Sequence, residues 1–197
     1  MAGNIQLEFN CGIVAERDRL RVLYEVRNRS EQDAGLFNRL GPQEPGGSPP
    51  PNPDNVYLDF DSGLLEVLKQ VLPLPRGIQV SVHPVPLISK LPKGERFREE
   101  FTVPLPAKVN NPMRRMVLQA ANRGSEIVAE HPAEAQQVRV CIGAFLIQRG
   151  MSLIETQGAF RVQPTGPAVD GQVILSRTID LSNPVPVLAF AARKKDL

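Results

Sequence analysis

The N-terminal part of the chain alternates between apolar and polar residues with a period of two. Apolar side chains occupy every second position in residues 5–9, and again at Leu20, Val22, Tyr24 and Val26. Such alternation is typical of half-buried β-strands, with one face toward a core and one toward water. Residues 16–18, Glu-Arg-Asp, lie between the two runs and predict a tight connection.

Strand patterns continue along the rest of the chain. Residues 56–60 and 64–68 flank Asp-Ser-Gly, which predicts a hairpin whose last loop residue, Gly63, has a positive φ. The apolar run 138–147 predicts a central strand, whereas the polar residues 125–137 predict an irregular segment with one short helical turn. The remaining predicted strands cover residues 77–82, 97–103, 154–162, 173–181 and 185–191.

Residues 111–121 carry the pattern of a single helix. Asn111 is a favourable N-cap, and Pro112 suits the first helical position. The apolar residues then recur at helical spacing and form one stripe, which comprises Met113, Met116, Val117, Ala120 and Ala121. A strand over residues 116–120 is the alternative, since the neighbouring segments all have strand patterns.

This succession of short strands and turns predicts the fold class. Roughly nine or ten strands with one short helix indicate an all-β protein, built as an antiparallel β-sandwich. We expect one domain over residues 1–197. The sequence leaves open whether residues 107–197 complete the sandwich or form an appended subdomain.

A Pro-rich and Gly-rich segment interrupts the strand patterns at residues 41–55. It contains no aliphatic or aromatic side chain, so it predicts a flexible loop with polyproline character, inserted between strands. Loops on rigid sandwiches commonly carry recognition residues. We therefore take Pro45, Pro49, Pro50 and Pro51 as candidate contacts for a partner.

The charge balance argues against a polyanionic partner. The chain has 23 Lys and Arg residues against 21 Asp and Glu, a net charge of +2, which excludes nucleic-acid binding driven by bulk charge. The sequence shows no signal-peptide pattern, and no apolar run approaches the ~20 residues of a membrane helix. We expect a cytoplasmic protein without membrane contact, in which Cys11 and Cys141 are buried free thiols.

Two short motifs carry a resemblance to a known fold family. Residues 26–30 read V-x-N-x-S at a strand end, and residues 91–95 read L-x-x-G-E at a turn. This pairing resembles bacterial immunoglobulin-like β-sandwich domains, including the intracellular proteinase inhibitor type, over about the first half of the chain. The resemblance implies an immunoglobulin-like sandwich and, by analogy alone, an inhibitor role. The chain departs from the antibody pattern because it has no Trp.

The sequence contains no recognisable catalytic or metal-binding constellation. His83 and His131 are isolated and are interpreted as surface or strand-edge side chains. Glu95, Glu99 and Glu100 are interpreted as solvated charges that alternate with arginines. No nucleophile elbow, zinc-protease pair, phosphate-binding loop or C-x-x-C motif occurs. We therefore predict no enzyme activity, no cofactor and no metal.

Two functions of different classes fit these features. The first is a non-catalytic protein-binding module that offers loops, among them the Pro-rich loop, or a sheet face to another protein. The second is a structural subunit of a larger assembly that docks through the apolar face of the helix near residues 113–121. The inhibitor role is a weaker alternative. The candidate contacts on the helix are Met113, Arg114, Arg115, Met116 and Val117.

The apolar stripe also has a purely structural explanation, which is that it covers the open end of the sandwich. A stripe that faces solvent would favour docking, whereas a buried stripe would favour the structural explanation. Arg114 and Arg115 are expected on the solvent face of the helix, or else in contact with an acidic partner. The partner's identity and the oligomeric state are not fixed by the sequence.

Overall fold

A computed structural model describes residues 5–41, 52–75, 85–121, 125–156 and 158–194, with the backbone alone described at 125–130 and 192–194. These residues form twelve strands and two helices. In chain order the elements are β1 (Leu7–Ala15), β2 (Arg19–Asn28), β3 (Ala34–Arg39), β4 (Tyr57–Asp61), β5 (Leu64–Lys69), β6 (Leu87–Leu91), β7 (Arg96–Pro104), β8 (Ala107–Lys108), α1 (Pro112–Ala121), β9 (Ser125–Leu146), β10 (Ile154–Thr156), β11 (Ala159–Arg161), α2 (Pro167–Asp170) and β12 (Val173–Lys194).

Strands β1, β2 and β7 form a three-stranded antiparallel sheet, the small sheet, with β2 in the middle. The alternation predicted for β2 is confirmed, because Leu20, Val22, Tyr24 and Val26 are each at most 1% exposed. The residues between them are half-buried or exposed. The buried row packs in an apolar cluster that residues of the second sheet complete.

The other nine described strands form the large sheet. Their order is β10-β11-β6-β3-β9-β12-β8, and the β4–β5 hairpin joins β9 through β5. Strand β9 therefore pairs with β12 on one side and with β3 and β5 on the other. The pairs are antiparallel except β5 with β9 and β8 with β12, which are parallel. The predicted all-β sandwich of antiparallel sheets is confirmed, with these two parallel pairs as exceptions.

Strands β9 and β12 are each 22 residues long and pair with each other along most of their length. The prediction that residues 125–137 are irregular is therefore wrong. In this stretch the backbone of β9 pairs with the backbone of β12. These backbone hydrogen bonds form a strand even though the sequence of the stretch is polar. Residues 138–146 of β9 form the central strand that the sequence predicts.

Tight turns determine where the strands end in two other segments. Residues 154–162 contain two short strands, β10 and β11, instead of the single strand expected, and Gly158 at φ 73° lies in the turn between them. In the β4–β5 hairpin, Ser62 and Gly63 have φ values of 48° and 85°. The positive φ predicted at Gly63 is therefore confirmed.

The outer face of the large sheet, turned away from the small sheet, carries two more apolar clusters. Helix α1 packs against one of them through Met113, and α2 contributes to the other through Ala168. Asn111 Oδ1 accepts the backbone N–H groups of Met113 (3.0 Å) and Arg114 (3.3 Å), which confirms the predicted N-cap of α1. The short helix α2 has no counterpart among the predicted elements.

Two predicted features lie outside the described residues: most of the Pro-rich segment, residues 42–51, and the strand at 77–82. Within the residues that the structure describes, no helix has both the length and the apolar character needed to cross a membrane.

Candidate functional site

Five polar side chains meet in the core between the two sheets, and we name them the charge cluster: Tyr24, Asn38, Arg39, Lys69 and Glu99. Tyr24 and Glu99 belong to the small sheet, and the other three belong to the large sheet. Asn38 and Lys69 are fully buried, while Tyr24 and Glu99 are 1% and 7% exposed. The charge cluster thus places charged groups in a region that a sandwich normally fills with apolar side chains.

Strand parity brings these charged groups into the core. Glu99 shares its face of β7 with the buried Phe101 and Val103. Lys69 shares its face of β5 with the buried Leu65 and Val67. Side chains two residues apart point to the same face of a strand. Glu99 and Lys69 therefore point into the core together with the apolar residues of their strands.

Glu99 is the centre of the charge cluster, since each of its carboxylate oxygens meets a cation. Lys69 Nζ lies 2.6 Å from Oε2, and Arg39 Nη1 lies 2.8 Å from Oε1. The Arg39 side chain remains 25% exposed, so it connects the cluster to solvent. Lys69 Nζ also lies 4.3 Å from the centre of the Phe101 ring, a cation–π contact that stabilises the ammonium.

Hydrogen bonds fix the neutral members of the cluster. The Tyr24 hydroxyl donates to Glu99 Oε2 at 2.9 Å. Asn38 Nδ2 donates to Tyr24 Oη at 3.3 Å and lies 3.5 Å from Glu99 Oε1. Asn38 Oδ1 accepts the backbone N–H of Ser89 at 3.1 Å, which sets the orientation of the amide. Lys69 Nζ donates to the backbone carbonyl of Asn38 at 3.4 Å.

The charges of the cluster do not balance, because one carboxylate faces two cations. A guanidinium keeps its proton in proteins, so Arg39 and Glu99 form a neutral pair and the proton on Lys69 is the excess charge. Burial lowers the pKa of Lys69 below its ordinary value of 10.5; Glu99 opposes this shift, and Arg39 adds to it. A buried amine with a lowered pKa is a candidate nucleophile.

The same surroundings raise the pKa of Tyr24, whereas they lower the pKa of Lys69. Burial raises the pKa of Tyr24 well above 10, and the negative charge of Glu99 raises it further. The phenol therefore stays protonated and keeps donating its hydrogen bond to the carboxylate.

The interpretation of Glu99 as a solvated charge is wrong, because this side chain is buried and paired with two cations. Glu100 is half exposed, as expected for the opposite face of the strand. Parity could have identified Glu99, since it alternates with apolar residues. The same signal places Lys69 two residues after Val67, beyond the predicted end of its strand.

The outer face of the large sheet carries a second candidate site, a groove of about 370 Å³ that we name the outer groove. Leu72, Pro73 and Asn111 contribute to its lining. The other lining residues lie in three neighbouring rows of the large sheet, which contain Glu66 and Arg139, then Leu68, Cys141 and Ser176, and then Gln70 and Ile174 on either side of Gly143.

The two ends of the outer groove differ in how their polar groups are satisfied. At one end, Arg139 Nη1 lies 3.2 Å from Glu66 Oε1, and Arg139 Nε donates to Thr178 Oγ1 at 3.2 Å. At the other end, the buried Gln70 Oε1 has no hydrogen-bond partner among the described residues. Ile174, on the other side of Gly143 in the same row, is 43% exposed. This end therefore combines an unpaired acceptor with exposed apolar surface.

A larger cavity of about 660 Å³, the edge cleft, is bordered by β4 and β7 beside the end of the Pro-rich segment. Its polar side chains are engaged with the chain itself. Asp54 Oδ1 accepts the backbone N–H of Thr102 at 2.8 Å, and Asn110 bonds to the backbone of Val56 and Leu58. The edge cleft is therefore larger than the outer groove, but these two side chains already have partners.

The predicted apolar contacts on α1 divide between core and surface. Met113 is 5% exposed and packs in the cluster beneath the helix, and Met116 is half-buried against the same cluster. Val117 is 44% exposed. The stripe therefore covers the sheet with its first part and leaves its later part facing solvent.

The predicted basic contacts also differ from each other. Arg114 forms ion pairs with Asp59 (3.3 Å) and Asp61 (3.6 Å), whereas Arg115 is exposed. The other candidate contacts, Pro45, Pro49, Pro50 and Pro51, lie outside the described residues.

The thiols and histidines add no further site. Cys11 and Cys141 are buried and free, as predicted, and burial raises the pKa of each to about 11. His131 is exposed, and His83 lies outside the described residues. No group of His, Cys, Asp and Glu side chains suited to hold a metal ion occurs in the described ranges. Comparison with family models, curated proteins and solved structures finds no match for this chain.

Proposed function

We propose that this protein is a non-catalytic protein-binding module of the cytoplasm, and that the outer groove binds the partner. The observation that carries the proposal is the unpaired Gln70 Oε1 in the same groove as the exposed Ile174. A buried acceptor without a donor costs about 1–3 kcal/mol of free energy. Oε1 has no accessible surface in this rotamer, so a partner's N–H group would recover that free energy by drawing the Gln70 amide toward the groove, and Ile174 would be buried at the same time.

The chemistry of the outer groove describes the kind of partner that fits. A protein segment supplies both N–H donors and apolar side chains, which are the kinds of group that Gln70 and Ile174 can take as partners. Leu74, close in sequence to the lining residue Pro73, is 44% exposed and extends the apolar surface. The Glu66–Arg139 pair would form the polar rim that surrounds the apolar centre of protein interfaces.

The alternative is a structural subunit that docks through α1. The observation that favours it is the 44% exposure of Val117, which continues the apolar stripe beyond the buried Met113. The resemblance to immunoglobulin-like modules supports a binding role of either kind, but a fold does not select a partner. The inhibitor role rests on that resemblance alone.

Affinity capture from a lysate of the native cells tests the proposal. The bait is the full chain, and captured proteins are identified by mass spectrometry. Ile174→Arg places a charge at the rim of the outer groove. Ile154→Arg is the matched control, because Ile154 is 62% exposed on β10 and does not line the groove. The proposal predicts a partner that is lost with Ile174→Arg and retained with Ile154→Arg.

Two further baits separate the alternatives. Val117→Arg disrupts docking through α1. Replacement of residues 42–51 by a Gly-Ser segment of equal length removes the four candidate prolines while keeping Asp54. Loss of the partner with Val117→Arg alone would support the structural subunit. Loss with the loop replacement alone would move the binding site to the Pro-rich segment. A partner retained by Ile174→Arg contradicts the outer groove as the binding surface.

A further inference from the structure

We propose that the protein cross-links itself through an amide bond between Lys69 Nζ and Asn38 Cγ, with Glu99 carrying the protons. The bond would join β5 to β3 inside the core. This inference rests on the charge cluster and is independent of the binding function proposed for the outer groove.

The geometry places the two reacting nitrogens around one carboxylate. Lys69 Nζ, the nucleophile, lies 2.6 Å from Glu99 Oε2. Asn38 Nδ2, the leaving group, lies 3.5 Å from the other oxygen, Oε1. Lys69 Nζ also donates to the backbone carbonyl of Asn38 at 3.4 Å, so the amine contacts the main chain of the residue whose side-chain Cγ it attacks. Glu99 is thus positioned to take a proton from one nitrogen and deliver one to the other.

The Asn38 carbonyl is prepared to accept the electron pair. Its oxygen, Oδ1, accepts the backbone N–H of Ser89 at 3.1 Å. As the amine adds to Cγ, negative charge develops on Oδ1, and a fixed N–H donor at that position stabilises it. Ser89 therefore supplies the oxyanion contact for the addition.

The surroundings of the charge cluster favour neutral groups over ions. Tyr24 lies between the rings of Phe9, Phe97 and Phe101, with centre-to-centre distances of 6.1, 6.1 and 6.3 Å. Apolar surroundings disfavour isolated charge, and here the excess charge is the proton on Lys69. Loss of that proton gives the neutral amine that the reaction requires.

The step balances in atoms and charge. The Lys69 ammonium gives one proton to Glu99, and the amine lone pair forms a bond to Asn38 Cγ while the carbonyl electrons move onto Oδ1. When the carbonyl re-forms, the bond from Cγ to Nδ2 breaks. Nδ2 takes one proton through Glu99 from the new amide nitrogen and then takes the proton that Glu99 held. The products are the amide and one ammonium ion, and the neutral Arg39–Glu99 pair remains.

Intact mass and peptide mapping of the purified full chain test the proposal. The expected mass is lower than that of the sequence by one molecule of ammonia. Trypsin does not cleave after an acylated lysine, so the denatured protein should yield residues 30–39 joined to residues 40–76. Separate peptides 30–39 and 40–69 would overturn the proposal. Loss of water with Glu99 in the linked product would also overturn it.

Two variants assign the roles. Asn38→Asp should form the same bond with loss of water, so that its final mass equals that of the wild type. Glu99→Gln removes the proton carrier, and a folded sample should keep its full sequence mass; folding is checked by circular dichroism. A linked Glu99→Gln protein would overturn the role of Glu99. The wild-type mass and peptide map decide whether the cross-link exists even if a variant fails to fold.

Discussion

Replacing Glu99 by Gln removes the one negative charge of the charge cluster while keeping the size of the side chain. Lys69 and Arg39 then lose the carboxylate that lies within 3 Å of each. Lys69 has no exposed surface, so water cannot replace its lost contact with the carboxylate. The Tyr24 hydroxyl also loses a charged acceptor. We therefore expect Glu99→Gln to be the most destabilising change of one carboxylate to an amide in the described structure.

The magnitude follows from the burial of the pair. Breaking a buried ion pair by removing one partner costs about 3–5 kcal/mol. Arg39 keeps 25% exposure, and water recovers part of its loss, so we expect the lower half of that range, about 3–4 kcal/mol. This value applies to the chain without the proposed cross-link, in which Lys69 is an ammonium ion, because the cross-linked chain has no Lys69–Glu99 ion pair to break.

Urea unfolding at pH 7 measures the change against a matched control. Glu100→Gln alters the next residue, which is 50% exposed and lies 3.7 Å from Arg21; its effect should be within about 0.5 kcal/mol. Adding Lys69→Met to Glu99→Gln removes the unpaired buried cation and should recover part of the loss. Equal unfolding free energies for Glu99→Gln and Glu100→Gln would refute the assignment of a buried ion pair.

Three smaller predictions concern the thiols, one turn and one phenol. Cys11 and Cys141 should react slowly with a thiol reagent at pH 8, because a pKa of about 11 leaves roughly one thiolate in a thousand; rapid labelling of the native protein contradicts this. Gly63→Ala should lower the free energy of unfolding by about 1 kcal/mol, because Gly63 has φ 85°. Gly12→Ala, in open space, should not lower it, and equal losses for both argue against turn strain. Wild-type stability should fall relative to Tyr24→Phe as pH rises above 10, because the folded state raises the pKa of Tyr24 and the unfolded chain ionises first; parallel pH curves would contradict that shift.

Strands with one buried face could be predicted from the sequence. Strand β2 alternates strictly, and its buried row is the row that the period of two selects. The turn glycine Gly63 and the helix cap Asn111 were also readable, because local backbone chemistry determines both. These features depend on neighbours in the sequence and need no knowledge of the rest of the fold.

Other strands carry no readable alternation. Strand β3 is buried on both faces over most of its length, so its sequence shows no period of two. The polar first half of β9 is extended because β12 pairs with it, and that pairing joins residues far apart in the chain. Neither strand β3 nor the first half of β9 could be recognised from its own residues.

Two members of the charge cluster, Glu99 and Lys69, could be placed from the sequence. Parity places Glu99 and Lys69 inward, but a charged side chain is far more often exposed than buried. The deciding fact is that β5 and β7 bring the two charges within 2.6 Å of each other across the core. Asn38 and Arg39 could not be placed, because they lie on β3, a strand that the sequence did not predict.

The most direct test of the binding role is a calorimetric titration of the captured partner against three forms of the chain: the wild type, Ile174→Arg and Ile154→Arg. Binding through the outer groove predicts at least a tenfold weaker dissociation constant for Ile174→Arg, equivalent to about 1.4 kcal/mol. It also predicts an unchanged constant for Ile154→Arg. Equal affinity of all three forms would show that the partner binds elsewhere and would contradict the proposed function of the outer groove.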